Sequence, residues 1–428
     1  MKSLLEKVNA KLNAQGGFLK SITLLAGGTA FAHAITILAL PFITRLYAPE
    51  DFSRLAIYTS LLSILSVIAC LRYEIAIPLP ESDAEAERLL IISIINCLIF
   101  SIILFLFLCF YNQKVQTWLD SKYFSQITWL LPIGVFSASL YSAYKFWCTR
   151  TKNFKAIAKT KFEQAISSVI SQLSLGWLGM TSIGMLVGQF FYNSAGVFSL
   201  IRKKKKFSRY SLKEIIQTYK KYNNYPKYSV SEALFNTASV HLPMLLIAII
   251  AASEEAGYLL LASKIMIIPM VLIGTAVSQV YYAHANDAKN KGELEEFTKN
   301  CMLKLLKIGF IPLIAIGLIA PWGFSLIFGE DWKRAGELVA WMTPWFLIQF
   351  IVSPVSMVFH VAMKQRLALI LQFIGFFLRV GSIFLALIVS EDLVSEFYAL
   401  SGFMFYLIYL ILILYILKDI DNKRFFDE

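Results

Sequence analysis

Charge is scarce in this 428-residue chain: Asp, Glu, Lys and Arg make up 16% of it, against 57% hydrophobic residues. That balance, with a mean hydropathy of +0.63, excludes a water-soluble domain, which has nowhere to put so much apolar surface. Cysteine is sparse as well. Cys70, Cys97, Cys109, Cys148 and Cys301 show neither metal-ligand spacing nor a pairing pattern. No zinc site or disulfide framework is expected, and the thiols read as small packing residues. The first seventeen residues hold no apolar core, so no cleavable signal peptide is expected there. Residues 1–17 fit a short interfacial amphipathic helix, with Leu4, Leu5, Val8 and Leu12 opposite Lys2, Lys7 and Lys11. A disordered tail fits them equally well.

What the chain does have is about twelve long apolar runs, at roughly 18–43, 53–71, 89–111, 126–148, 160–179, 181–201, 229–252, 257–283, 303–328, 336–359, 367–390 and 394–417. About 20 residues of helix cross the hydrocarbon of a bilayer. Backbone groups there must be satisfied within the element, and runs without a two-residue alternation are helices rather than barrel strands. The expected fold is therefore an all-α membrane protein of about 12 transmembrane helices. The fifth and sixth runs are the most polar of these, with Glu163, Gln164 and Gln172 in the fifth and only Gly179 to Ser182 between them.

Lys and Arg crowd alternate loops. Ten lie in 202–228 alone, whereas the opposite loops hold only Arg45, Arg54, Lys114, Lys122, Lys333 and Arg334. By the positive-inside rule both termini are then cytoplasmic. The net charge of +12 follows from topology and from attraction to anionic lipid, and no nucleic acid is implied.

The basic segment 202–228 divides the chain into an N-lobe, 18–201, and a C-lobe, 229–428, of six runs each. Residues 48–58, APEDFSRLAIY, are echoed by 252–262, ASEEAGYLLLA, each with an acidic pair before the second run of its half. Two halves of like topology are a transporter design. Pro41, Pro132, Pro243, Pro269, Pro312, Pro344 and Pro354 fall inside the runs, where neighbouring helices tolerate the bends they cause.

An ionisable residue within a span is costly and marks a functional candidate. Those present have one sign. Arg379 lies about 18 Å along the eleventh run, near the bilayer centre, and Lys264 lies inside the eighth. His33 and His241 fall near the middle of the first run of each half. Arg45 caps the first run, Lys145 nears the inner end of the fourth, and Arg72 ends the second. No Asp or Glu lies mid-run. Buried cations without carboxylates suit an anionic ligand such as a diphosphate, which the planar fork of Arg matches well. Each also has a plainer reading. Lys264 can snorkel, the histidines can be packing residues, and Arg45, Arg72 and Lys145 can be interface anchors.

The segments LPFITRLYAPEDFSRLAIY and LRYEIAIPLPESDAEAERLL, following the first and second runs, resemble the oligosaccharide flippases of bacterial surface-polysaccharide synthesis. These are the Wzx-like branch of the multidrug/oligosaccharidyl-lipid/polysaccharide (MOP) exporter superfamily. The resemblance covers essentially the whole chain, and it departs at Phe52-Ser53, where a glycine often follows the acidic pair. It implies two six-helix lobes around a central cationic cavity, and alternating access that carries an undecaprenyl-diphosphate-linked oligosaccharide to the outer leaflet of the inner membrane. It gives the binding role to Arg45, Lys264 and Arg379, with Lys145 and Arg72 at the inner mouth. The implied partners are the lipid-linked oligosaccharide diphosphate, membrane lipids, and a polysaccharide polymerase with its chain-length proteins. No cofactor is expected, and coupling to protons, through His33 or His241, or to sodium stays open.

Two rivals remain at this level. A drug exporter of the same superfamily uses protonatable carboxylates within its spans, and this sequence has none in the middle of a run. A membrane polymerase or transferase needs a large outer loop, or clustered Asp residues to hold a metal-bound diphosphate. The longest outer loop here, about 112–125, is short, and the acidic 81–87 stretch is followed only by Arg88. The protein is therefore not expected to be an enzyme.

Overall fold

The computed structural model describes residues 17–118, 124–202, 208–362 and 364–427. The interfacial helix expected at 1–17 lies, apart from Gly17, outside the described residues. The described chain is helical, without strands: α1 (Gly17–Leu46), α2 (Pro49–Ala69), α3 (Asp83–Trp118), α4 (Phe124–Arg150), α5 (Phe154–Trp177), α6 (Thr181–Ser194), α7 (Val197–Ile201), α8 (Leu212–Lys221), α9 (Val230–Ile250), α10 (Glu255–Met266), α11 (Thr275–Lys291), α12 (Leu294–Phe328), α13 (Lys333–Val352), α14 (Val358–Val361), α15 (Gln365–Val389) and α16 (Val394–Asp427).

Among the described residues, nine segments are long and apolar enough to cross a membrane. The expected twelve is not reached. The difference lies at 126–148, 160–179 and 181–201. Helix α5 carries Lys155, Lys159, Lys161 and Glu163, which lower its apolarity. The 181–201 run is interrupted at Gly196, whose φ of +86° is left-handed and stops α6 before the short α7 begins.

The chain forms two compact units: Met1–Leu46 with Leu61–Thr237, and Tyr47–Ser60 with Ala238–Glu428. In the first, a core of Tyr73, Ile77, Leu89, Tyr141, Tyr144, Cys148 and Leu200 gathers the ends of α3, α4, α5 and α7. In the second, Tyr281, Phe359, Leu371, Phe405, Ile413 and Leu417 join α11, α14, α15 and α16. Exposed Ile, Leu and Phe side chains along α3, α12 and α16 are what a lipid-facing surface requires.

The two echoed segments, 48–58 and 252–262, meet inside the second unit. The Gly257 amide donates to Ser53 Oγ at 2.7 Å. A Cβ at 257 would stand 2.0 Å from the Pro49 carbonyl oxygen, so only glycine permits this approach. Phe52 is fully buried and meets the Trp332 ring edge-on at 4.6 Å. Ser53 thus makes the contact itself, with Phe52 packed beside it on Trp332.

The same unit has an ionic clasp at the start of three helices. Arg334 on α13 donates to Glu255 of α10 at 2.9 Å and pairs with Glu396 of α16 at 2.7 Å. Both carboxylates are nearly buried. Acidic groups in a first helical turn also suit the positive end of the helix dipole.

Candidate functional site

Arg379, the deepest cation expected from sequence, is 7% exposed and sits in the interior of the second unit. Its Cζ lies 4.8 Å from the centroid of the Phe405 ring and 5.8 Å from that of Trp345. Two glycines make this nest possible. A Cβ at Gly402 would lie 2.3 Å from the Trp345 indole, and one at Gly375 would lie 2.5 Å from the Phe405 ring. The rings therefore press against backbone, and Tyr398 and Tyr406 of α16 border the guanidinium.

The polar side of the nest is unfinished. Nη1 reaches the Ser239 carbonyl of α9 at 3.5 Å, the limit of a hydrogen bond. Arg379 Nε, Trp345 Nε1 and Gln349 Oε1 are buried without partners, and no carboxylate among the described residues pairs with Arg379. Burying an unpaired ion costs several kcal/mol. A desolvated cation–π contact returns only about 2 kcal/mol. The remainder is a stability cost that packing alone does not explain.

Two other expected residues share this unit. His241 is half-buried on α9, two residues beyond the carbonyl that faces Arg379. Lys264 is half-buried on α10, with Nζ 5.9 Å from the Phe52 centroid.

The first unit holds the rest. Leu71 and Arg72 stand at φ +50° and +62°, a left-handed turn between the end of α2 and the short helical turn Tyr73–Ala76. Arg72 Nη1 is 3.6 Å from Glu74 Oε1, while Glu74 Oε2 and Arg72 Nε are buried without partners. Burial pushes the Glu74 carboxyl above its usual value, and the charges of Arg72 and Lys145 oppose that shift. Arg72, Glu74 and Lys145 are thus one electrostatic group. Arg45 is exposed in the last turn of α1. His33 lies within reach of the Lys161 charge.

Lys161 is a half-buried cation of the first unit that sequence reasoning missed. Its Nζ bonds Gln164 Oε1 at 3.2 Å and lies 5.3 Å from the Tyr141 ring centroid. It stands one residue inside the fifth run, where a lysine reads as part of the loop; its spacing from Gln164 was the available signal. Among the described residues, no group of three His, Cys, Asp or Glu side chains is placed to hold a metal ion.

The fold is that of transporters in the MOP superfamily. It is similar to the lipid II flippase MurJ in an inward closed conformation, with a TM-score of 0.73 and 14% identity over 93% of this chain and 90% of that one. It is also similar to an inward-facing multidrug resistance MATE family transporter of the MOP superfamily, with a TM-score of 0.66 and 11% identity over 94% and 96%. A MOP superfamily transporter from Pyrococcus furiosus, described by the reverse polarity of its binding pocket, gives 0.55 and 13% over 93% and 96%. At these identities the likeness is one of fold. The family is shown by sequence: the model for polysaccharide biosynthesis proteins matches residues 42–337, and the chain belongs to that family. No curated protein matches it in sequence. The protein is a multi-pass membrane protein of the polysaccharide biosynthesis family, with nine apolar helices among the described residues.

Proposed function

We propose that this protein flips an undecaprenyl-diphosphate-linked oligosaccharide, an O-antigen or similar surface-polysaccharide repeat unit, from the inner to the outer leaflet of the bacterial inner membrane by alternating access. Both termini are then cytoplasmic, and the working lobes are 18–201 and 229–428, joined by 202–228. The observation that carries the reading is Arg379, a buried guanidinium whose Nε donor has no partner and which pairs with no carboxylate among the described residues, in a family of polysaccharide biosynthesis proteins.

The physics of the substrate fits. Its polyprenyl tail can stay in lipid while its charged head cannot cross unaided. Arg379 supplies charge-assisted hydrogen bonds to a diphosphate. Lys264, Arg45, Lys145 and Arg72 add positive charge, and His33 and His241 are candidates for coupling. Release on the far side requires weaker binding in the outward state, or an ion that shifts the balance. The protein acts as a carrier and not as an enzyme, and a polysaccharide polymerase with chain-length proteins would consume what it delivers.

The MATE-like fold favours a second reading, a drug exporter, but an unpaired buried cation repels the organic cations such exporters carry. Thermal unfolding of the purified protein separates the two. Under our reading, undecaprenyl-diphosphate oligosaccharide raises Tm and a cationic dye does not. A rise with the dye and none with the diphosphate would reverse the assignment.

A further inference from the structure

The segment before the seventh apolar run contains the ten-residue helix α8 (Leu212–Lys221), whose outer face no described part of the chain covers. Helix α8 starts sharply. Ser211 Oγ accepts from the Glu214 amide at 3.3 Å, and the Glu214 carboxylate accepts from the Ser211 amide at 2.8 Å, a reciprocal cap. One face is docked. Arg88 of α3 donates to Thr218 Oγ1 at 2.9 Å and pairs with Glu214 at 3.5 Å. Tyr73 OH donates to the Tyr219 carbonyl at 3.0 Å. Ile215 and Tyr222 pack on the core of the first unit.

The adjoining face is apolar: Leu212 and Ile216 are bare, and the Tyr219 ring leans on the Tyr73 ring at 4.9 Å with its outer edge uncovered. Leu212 is 79% exposed, Ile216 53% and Tyr219 38%. At about 100° per residue these three fall within a stripe about 60° wide, and Lys213 and Lys220, both exposed, flank it on the side away from the docked face. A helix this short is marginal alone, so its docking holds the apolar stripe in a fixed orientation.

Its position says what covers the stripe. Helix α8 rests against the first turns of α3, where the apolar segment Asp83–Tyr111 begins, and it ends a few residues before the apolar segment Tyr225–Ile250. Both place it at a membrane surface. We infer that α8 lies on that surface as an interfacial helix, with Leu212, Ile216 and Tyr219 among the acyl chains and Lys213 and Lys220 on anionic phospholipid headgroups. Lysine stems lying along an apolar stripe suit this depth.

The test uses the full chain with Cys109 and Cys301, the two cysteines that are not buried, replaced by alanine. Single cysteines are introduced as L212C, I216C and Q217C, labelled with an environment-sensitive dye, and reconstituted into phosphatidylglycerol-containing vesicles carrying brominated lipid. We expect quenching at 212 and 216 at least about twofold greater than at 217, which faces water. The difference should shrink in phosphatidylcholine alone and in the K213Q/K220Q background. Equal quenching at all three positions, or none, overturns the inference. Dye at 212 and 216 that is shielded from water but untouched by brominated lipid also overturns it, since a second protein surface then covers the stripe.

Discussion

The Arg379 guanidinium carbon lies 4.8 Å from the centroid of the Phe405 ring, and that ring holds its place because residue 375 has no side chain to meet it. The charge is thus held by aromatic faces rather than by an acid. Aromatic faces stabilise a cation without neutralising it, so it stays available to an anionic ligand.

Replacing Arg379 separates stability from function. R379A should lower transport about 10–100-fold, the loss expected from hydrogen bonds to a charged group at ~1.5–3 kcal/mol. R379M should match or exceed the wild-type Tm, because a well-packed apolar residue removes a buried unpaired charge, and should transport as poorly. R379K should recover little, because lysine lacks the planar fork that lies on Phe405. Transport and detergent Tm, measured on the same preparations, check all three.

The Arg334 clasp predicts the opposite pattern. R334A leaves Glu255 and Glu396 nearly buried without their cation and should destabilise by about 2–3 kcal/mol, below the value for a fully buried pair because Arg334 is partly solvated. Double replacement with E396Q should recover part of that loss. Thermal unfolding of the double-mutant cycle measures the coupling.

Gly257→Ala should be poorly tolerated. Its new Cβ would stand 2.0 Å from the Pro49 carbonyl oxygen, and relieving that contact separates the amide from Ser53 Oγ. Overpacking of this kind costs about 1–3 kcal/mol, read as a lower Tm. S53A, which removes only the acceptor, should cost about 1 kcal/mol.

Glu74 predicts a pH dependence. Burial raises its carboxyl above 4.5 in the folded protein, against the pull of Arg72 and Lys145. The folded state therefore favours the protonated acid. This contribution is fully present below about pH 4.5 and is lost as the pH rises through the raised folded value. E74Q should flatten the fall in Tm over that interval, measured as Tm against pH beside the wild type.

Much of this was legible in the sequence, and for physical reasons. A lone arginine deep in an apolar run is conspicuous because lipid makes it costly, and Arg379 was found on that ground. Its aromatic surroundings were not visible, because Trp345 and Phe405 lie on other helices and meet it only after packing. Apolar length revealed the helices but not the break at Gly196, since a single glycine is tolerated inside membrane helices and only its backbone angle stops this one. Arg72 stood out as the cation at the end of the second run. The burial of Glu74 follows from the left-handed angle at Arg72, which no residue pattern announces. The role of Ser53 depends on an amide about two hundred positions away in the chain.

The central claim is tested most directly by reconstituting the purified protein into proteoliposomes with labelled undecaprenyl-diphosphate oligosaccharide and measuring protection from an enzyme added outside. Our account predicts that headgroups placed inside become accessible only when the protein is present, and that R379A slows the change at least about tenfold while remaining folded. Unchanged protection with folded wild-type protein across several oligosaccharide headgroups would contradict it.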